Sequence, residues 1–167
     1  MIVVRSILYN VLFYLNLGVL LLVALLTLPL PRRAVLKMAE LWGRTSVWML
    51  RVVCGTRMEI RGLEHLAGPR LQGPFVIAAK HQSTWETFAL PTLMSHPLAF
   101  VFKRELLHVP FFGWAIGRLD MIHIDRSKRT EAWGKVAERG KALLARGHWV
   151  IMFPEGTRIP RGSQGVY

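Results

Sequence analysis

Three rhythms of apolar and polar residues divide the chain. From Ile7 to Leu30 no residue is charged, and Leu and Val dominate a run of 24 residues. As a helix rising about 1.5 Å per residue it reaches roughly 36 Å, more than the ~30 Å hydrocarbon core of a bilayer. Pro29 and Pro31 end it, and Arg32, Arg33 and Lys37 come next. The run is too long for a signal-peptide core and no small-x-small cleavage site precedes the basic cluster, so a retained membrane anchor is predicted. The pattern leaves open whether it spans the bilayer or dips into one leaflet. The basic flank favours a cytoplasmic position for the remainder of the chain, with Arg5 pulling the other way.

Lys37 to Val53 shifts to a helical period. At 100° per residue, Lys37, Glu40, Arg44 and Arg51 fall within roughly 60° of one another, with Met38, Trp42, Met49, Leu50 and Val53 opposite. Two readings fit: an interfacial helix with tryptophans and arginines at the headgroups, or an amphipathic helix packed on a core. Gly55 closes it.

From Pro74 short apolar runs alternate with helical stretches. Residues 74–79, 98–102, 121–124 and 149–153 read as strands; 84–94 and 110–116 read as helices. A longer helix begins at a Ser127 or Thr130 cap, repeats Ala132, Trp133, Val136, Ala137, Leu143 and Leu144, and stops at Gly147. Alternation of this kind predicts an α/β fold, a mixed sheet flanked by helices. The expected division is an anchor plus interfacial helix over 1–54 and an α/β domain over 55–167.

Composition sharpens this picture. Hydrophobic residues make up 52% and charged residues 19%, which excludes intrinsic disorder. Twenty-two Lys and Arg against ten Asp and Glu leave a net charge of +12. So apolar and basic a chain suits anionic membrane lipids and an anionic ligand, while no nucleic-acid motif is present. A single cysteine, Cys54, excludes a disulfide framework and a multi-cysteine zinc site. There is no H-E-x-x-H and no phosphate loop, so no metal and no nucleotide cofactor is expected. His65, His96, His108, His123 and His148 lack ligand spacing and are expected to take no direct part.

Two polar clusters stand at strand ends, where α/β proteins keep their sites. The first is Lys80-His81-Gln82-Ser83-Thr84-Trp85-Glu86. A carboxylate on one imidazole nitrogen fixes the tautomer and leaves the other as a general base, a His–acid pair without a serine nucleophile. The second, Pro154-Glu155-Gly156-Thr157-Arg158, offers a glycine turn and an arginine able to grip phosphate bidentately. Either cluster alone reads better as a solvated loop than as a site.

Together, Lys-His-Gln-Ser at 80–83 with a carboxylate at 86, and Phe-Pro-Glu-Gly-Thr-Arg at 153–158, resemble the lysophospholipid acyltransferases. Lys103-Arg104-Glu105-Leu106 with Pro110, Phe112, Gly113 and Trp114 looks like that family's linking segment, and Gly117 with Ile124-Asp125-Arg126 like its middle block. The likeness covers about residues 35 to 167 and implies a glycerolipid acyltransferase-like fold. It further implies acyl transfer from acyl-CoA or acyl carrier protein (acyl-ACP) to the 2-hydroxyl of lysophosphatidic acid, with no cofactor. His81 would be the base and Glu86 its orienting partner. Arg126 and Arg158 would clamp the acceptor phosphate, Glu155, Gly156 and Thr157 would shape that pocket, and Ser83 would support the loop. Apart from the resemblance, Lys103 and Arg104 read equally as phosphate contacts and as a solvated pair. Another lysophospholipid or glycerol 3-phosphate as acceptor fits the same motifs.

Two departures accompany the resemblance. The family's usual carboxylate in the first block is Asp, and here it is Glu86, whose longer side chain must fold differently to reach His81. Family members also continue with further strands and an apolar block containing a central Pro, whereas Tyr167 stands nine residues after Arg158. The expectation is therefore a piece of a longer enzyme, or a truncated, lipid-binding product without turnover.

Overall fold

The computed structural model describes residues 1–26, 29, 31–62, 64, 73–94, 96–125 and 129–165, with only the backbone of 129 and 130. Two long helices come first, α1 over Ile2–Leu26 and α2 over Arg32–Cys54. The α/β part comes after them: β1 Val76–Ala78, α3 Trp85–Leu93, β2 Leu98–Lys103, a 3-10 turn at Arg104–His108, α4 Phe112–Gly117, β3 Ile122–Ile124, α5 Arg129–Leu144 and β4 Trp149–Met152. Every predicted strand and helix is present within a few residues. Met58 to Arg61, though alternating, forms no strand, and the 3-10 turn has no counterpart in the periodicity. Thr130 falls inside α5 rather than capping it, and Ser127 lies outside the described residues.

Strand order is β1-β4-β2-β3, and every described pairing is parallel. The mixed sheet expected from sequence is thus corrected to a parallel one among the described residues: β1, β2 and β3 are each followed by helical chain that returns to the same end of the sheet. Parallel strands buried on both faces need continuous apolar runs, and Trp149-Val-Ile-Met of β4, between two neighbours, supplies one. Ala99, Ile122, Leu143 and Val150 form the centre of the core, with Val136 and Leu144 of α5 packed against it.

Helix α1 is long and apolar enough to cross a membrane. Val4, Leu8, Val11, Leu15, Val19, Leu22 and Leu26, spaced three or four apart, leave one continuous face exposed. The opposite face packs on α2, where Asn16 Nδ2 donates to Thr45 Oγ1 at 2.9 Å. Phe13 of α1, Trp42 of α2 and Phe88 of α3 form an aromatic triangle with centroids 5.5–5.7 Å apart. Helix α2 therefore has a packed face as well as an exposed one bearing Lys37, Leu41, Arg44, Trp48 and Arg51. Gly43 is what lets α2 approach α3, since a Cβ there would lie 2.4 Å from the Phe88 carbonyl oxygen.

Asp120, 7% exposed, ties the helices to the sheet. Arg32 approaches its Oδ1 at 2.6 Å and Arg146 its Oδ2 at 2.8 Å, with His148 at 3.5 Å and Arg139 at 3.9 Å. Arg32, counted in the sequence among the basic flank of the anchor, is thus spent on an internal ion pair. Burial alone would raise the Asp120 pKa, but Arg32 and Arg146 outweigh it and hold the carboxyl below its ordinary range.

Two outcomes are expected from this packing. Gly43→Ala forces α2 from α3 and lowers stability by about 1–3 kcal/mol, read from the unfolding midpoint in detergent. Because Asp120 has a lower pKa folded than unfolded, its contribution is complete above the ordinary carboxylate range and disappears as pH falls through the lowered value. Asp120→Asn costs about 2 kcal/mol at neutral pH, below the ~3–5 kcal/mol of a fully buried pair because its arginines are 35–54% exposed. Melting curves of the two proteins converge in acid.

Candidate active site

Strands β1 and β4 pair in register, Val76 with Val150 through Ala78 with Met152, so the loops leaving their C-terminal ends start side by side. The Ala79 N–H donates to Met152 O at 3.0 Å, and the Ile159 N–H donates to His81 O at 2.8 Å, holding the two loops together beyond the sheet. Gly156 turns the second loop at φ 66°, in the left-handed region, with its N–H on Phe153 O at 2.9 Å.

Glu86 sits in the first turn of α3 and folds back over the loop before it. Its Oε1 accepts from the Gln82 N–H at 3.0 Å and the Ser83 N–H at 3.1 Å, and its Oε2 accepts from Ser83 Oγ at 3.1 Å. Ser83 Oγ in turn accepts the Trp85 N–H at 3.0 Å. The loop amides thus fix the carboxylate, and the first free N–H of the helix, that of Trp85, finds its partner in Ser83. Glu86 Oε2 then stands 3.8 Å from His81 Nδ1, with both side chains about 15% exposed. A closure of about 1 Å brings this pair to hydrogen-bond length. The His81 ring stacks on Phe153 at 4.1 Å and 22°, which fixes its plane. The longer Glu at this position is accommodated by the fold-back.

Glu155 borders the pocket as expected of that loop, but its carboxylate is turned to the protein. Its side chain, 1% exposed, points into the loop junction: Lys80 Nζ lies 3.3 Å from Oε1, and the N–H groups of Gly165 and His81 donate at 3.1 and 3.4 Å. Burial would raise its pKa, but the Gly165 N–H, Lys80 and the His81 N–H together hold it below the ordinary carboxylate range. Lys80 also donates to Ser163 O at 2.7 Å. Sequence reasoning gave Lys80 and Phe153 no role; a cation and an aromatic bordering the two clusters were the only signals.

A cavity of about 1260 Å³ opens from this junction. His81, Lys103, Glu155, Gly156, Thr157 and Arg158 all line it, so six of the predicted site residues share one space. Its other walls are apolar and include Phe100 and Phe102 of β2 and Leu17, Leu20 and Leu21 of α1. Ser83 holds Glu86 rather than facing the cavity, and Arg126 lies outside the described residues. Among the described residues no group of His, Cys, Asp or Glu gathers to hold a metal ion.

Residues 57–165 match the family model described as Acyltransferase. Over 126 residues the chain is 51% identical to the 1-acyl-sn-glycerol-3-phosphate acyltransferase of Pseudomonas aeruginosa, a match covering 75% of this chain and 47% of that protein. It is 32% identical over 120 residues to the human 1-acyl-sn-glycerol-3-phosphate acyltransferase alpha, covering 72% and 41%. The crystal structure of the 1-acyl-sn-glycerophosphate (LPA) acyltransferase PlsC from Thermotoga maritima superposes with a TM-score of 0.71 at 26% identity, covering 98% of this chain and 66% of that one. The chain thus spans less than half the length of the curated relatives it matches.

Glu155→Gln removes the charge that faces Lys80. Hydrogen exchange of the His81, Ile159 and Gly165 amides is expected to accelerate in this variant at neutral pH, with the core amides of β4 unchanged. Equal protection at all four places contradicts the bracing assigned to Glu155.

Proposed function

This chain belongs to the acyltransferase family, and from that premise we propose that it transfers an acyl group from acyl-CoA or acyl-ACP to the sn-2 hydroxyl of lysophosphatidic acid. The product is phosphatidic acid, which places the reaction in phospholipid synthesis. Relatives named for this activity support the reading. The observation that carries it is one shared space: His81, with Glu86 behind its Nδ1, opens onto a large and mainly apolar cavity that Lys103 and Arg158 also line.

Glu86 holds the Nδ1 side of His81, which leaves Nε2 to accept a proton. The acceptor hydroxyl gives its proton to Nε2 as its oxygen attacks the thioester carbonyl carbon. The tetrahedral adduct collapses, the C–S bond breaks, and the thiolate recovers the proton from the imidazolium. Ester and free thiol leave, and no acyl-enzyme forms. Lys103 and Arg158 attract the acceptor phosphate, with Arg126 as a third cation; Gly156 and Thr157 shape that end and Ser83 steadies Glu86. The apolar walls, continued by α1, suit the acyl chains.

We read residues 1–54 as a membrane unit and 55–167 as the catalytic domain. The apolar face of α1 lies in lipid, Trp48, Lys37, Arg44 and Arg51 of α2 lie at the headgroups, and the sheet faces the cytoplasm. Anionic lipids then concentrate around a chain of net charge +12, and the acceptor reaches the cavity from the bilayer.

The test is transfer of labelled acyl from acyl-CoA to lysophosphatidic acid by membranes carrying residues 1–167 or the His81→Ala variant. Wild-type membranes are expected to form phosphatidic acid, and His81→Ala to lose about 10³-fold with membrane attachment intact. Activity in His81→Ala within tenfold of wild type overturns the base assignment. Product from neither protein overturns the proposed activity for this 167-residue chain.

A further inference from the structure

A second group of cations lies outside the active site. A cavity of about 360 Å³ is bordered by His123 of β3 and by Lys135 and Arg139 of α5, and neither Lys103 nor Arg158 lines it. Lys135 Nζ stands 2.9 Å from His123 Nε2. An ammonium cannot share that distance with an imidazolium, so His123 is neutral and its Nε2 accepts from Lys135. Burial, then Lys135, Arg104 and Arg139, push the His123 pKa below its ordinary value. Among the described residues neither Arg104 nor Lys135 has a carboxylate at ion-pair distance. Arg139 reaches only Asp120, at 3.9 Å, and that carboxylate is already held by Arg32 and Arg146. Cations gathered around a partly enclosed space without counter-charge are stabilised by an anion in that space.

We propose that His123, Lys135 and Arg139, with Arg104 beside them, form a second organophosphate site, one that takes a phosphate group of the acyl donor. Its assignment to the donor rests on the proposed acyl-transfer function; its affinity for phosphate does not. Two observations point to the donor. Lys103 and Arg158, both assigned to the acceptor, line the large cavity and are absent from the small one. The two cavities nevertheless share Phe102, Ile116, Leu119 and Met121 as walls, so a ligand anchored by phosphate in one lies beside the space that contains His81. A donor thioester carried on a long phosphate-bearing arm has that shape. His123, scattered without ligand spacing in the sequence, acquires a role through α5.

The experiment titrates the 167-residue chain in detergent micelles with adenosine 3′,5′-bisphosphate, followed by calorimetry, alongside glycerol 3-phosphate as the lipid-headgroup probe. Binding of the bisphosphate is expected to weaken about tenfold or more in Lys135→Ala/Arg139→Ala and to be retained in Lys135→Arg. Binding of glycerol 3-phosphate is expected to be the same in all three proteins. Circular dichroism and the unfolding midpoint check that the double variant is folded, and Lys135→Ala alone replaces it if it is not. Bisphosphate binding unaffected by these changes overturns the site. A loss confined to glycerol 3-phosphate overturns the donor assignment and gives the site to a lipid headgroup. In turnover, the double variant is expected to raise KM for acyl-CoA while leaving KM for lysophosphatidic acid unchanged. An unchanged KM for acyl-CoA contradicts the donor assignment, whereas a chain without turnover leaves the binding result to decide the phosphate site.

Discussion

The parallel pairing of β1 with β4 is the constraint on which the site depends. Residues about seventy positions apart become neighbours because Ala78 stands opposite Met152 and both chains leave the sheet in the same direction. Parallel ladders need a crossover, and here the crossover contains the rest of the α/β body: α3, β2, α4, β3 and α5 all lie between the two strands in sequence. Packing of that body therefore sets the register, and the register sets the distance between His81 and the loop at 153–158. The backbone bonds from Ala79 to Met152 and from Ile159 to His81 carry the pairing past the last strand residues.

Two buried carboxylates then fix pieces that the sheet alone does not hold. Glu155 closes the loop junction by receiving two backbone N–H groups and a lysine ammonium. Asp120 fastens α2 to the end of α5 through Arg32 and Arg146. A buried charge is tolerated only when each oxygen is paired, and both residues meet that condition. Each joins parts distant along the chain: Glu155 links the loop of His81 to Gly165, and Asp120 links the start of α2 to the residues after α5.

The helical hairpin and the sheet make one cavity rather than two separate parts. Leu17, Leu20 and Leu21 of α1 line the same space as His81, and the aromatic triangle of Phe13, Trp42 and Phe88 joins the three helices on which that wall rests. The exposed face of α1 has the opposite character, with a stripe of Leu and Val that water does not stabilise. One helix thus presents apolar residues outward along one face and toward the cavity along another, which is why its hydrophobic residues run all round and no amphipathic period is visible in the sequence.

Much of this was legible in the residues. The strands at 74–79, 98–102, 121–124 and 149–153 and the helices between them derive from local period, because a buried strand and a helix face each impose their own spacing on apolar positions, while α1 was legible as an unbroken apolar run. His81, Glu86 and Arg158 were legible as candidates because strand ends carry the polar residues of an α/β sheet. Only the tertiary structure decided what those residues face. Strand order and direction, the burial of Glu155 against Lys80, the use of Arg32 on Asp120 and the meeting of His123 with Lys135 all join elements whose separation along the chain carries no signal of contact. Period along a sequence reports which side of an element is apolar; which element it meets is set by how the whole set of apolar faces can be buried at once.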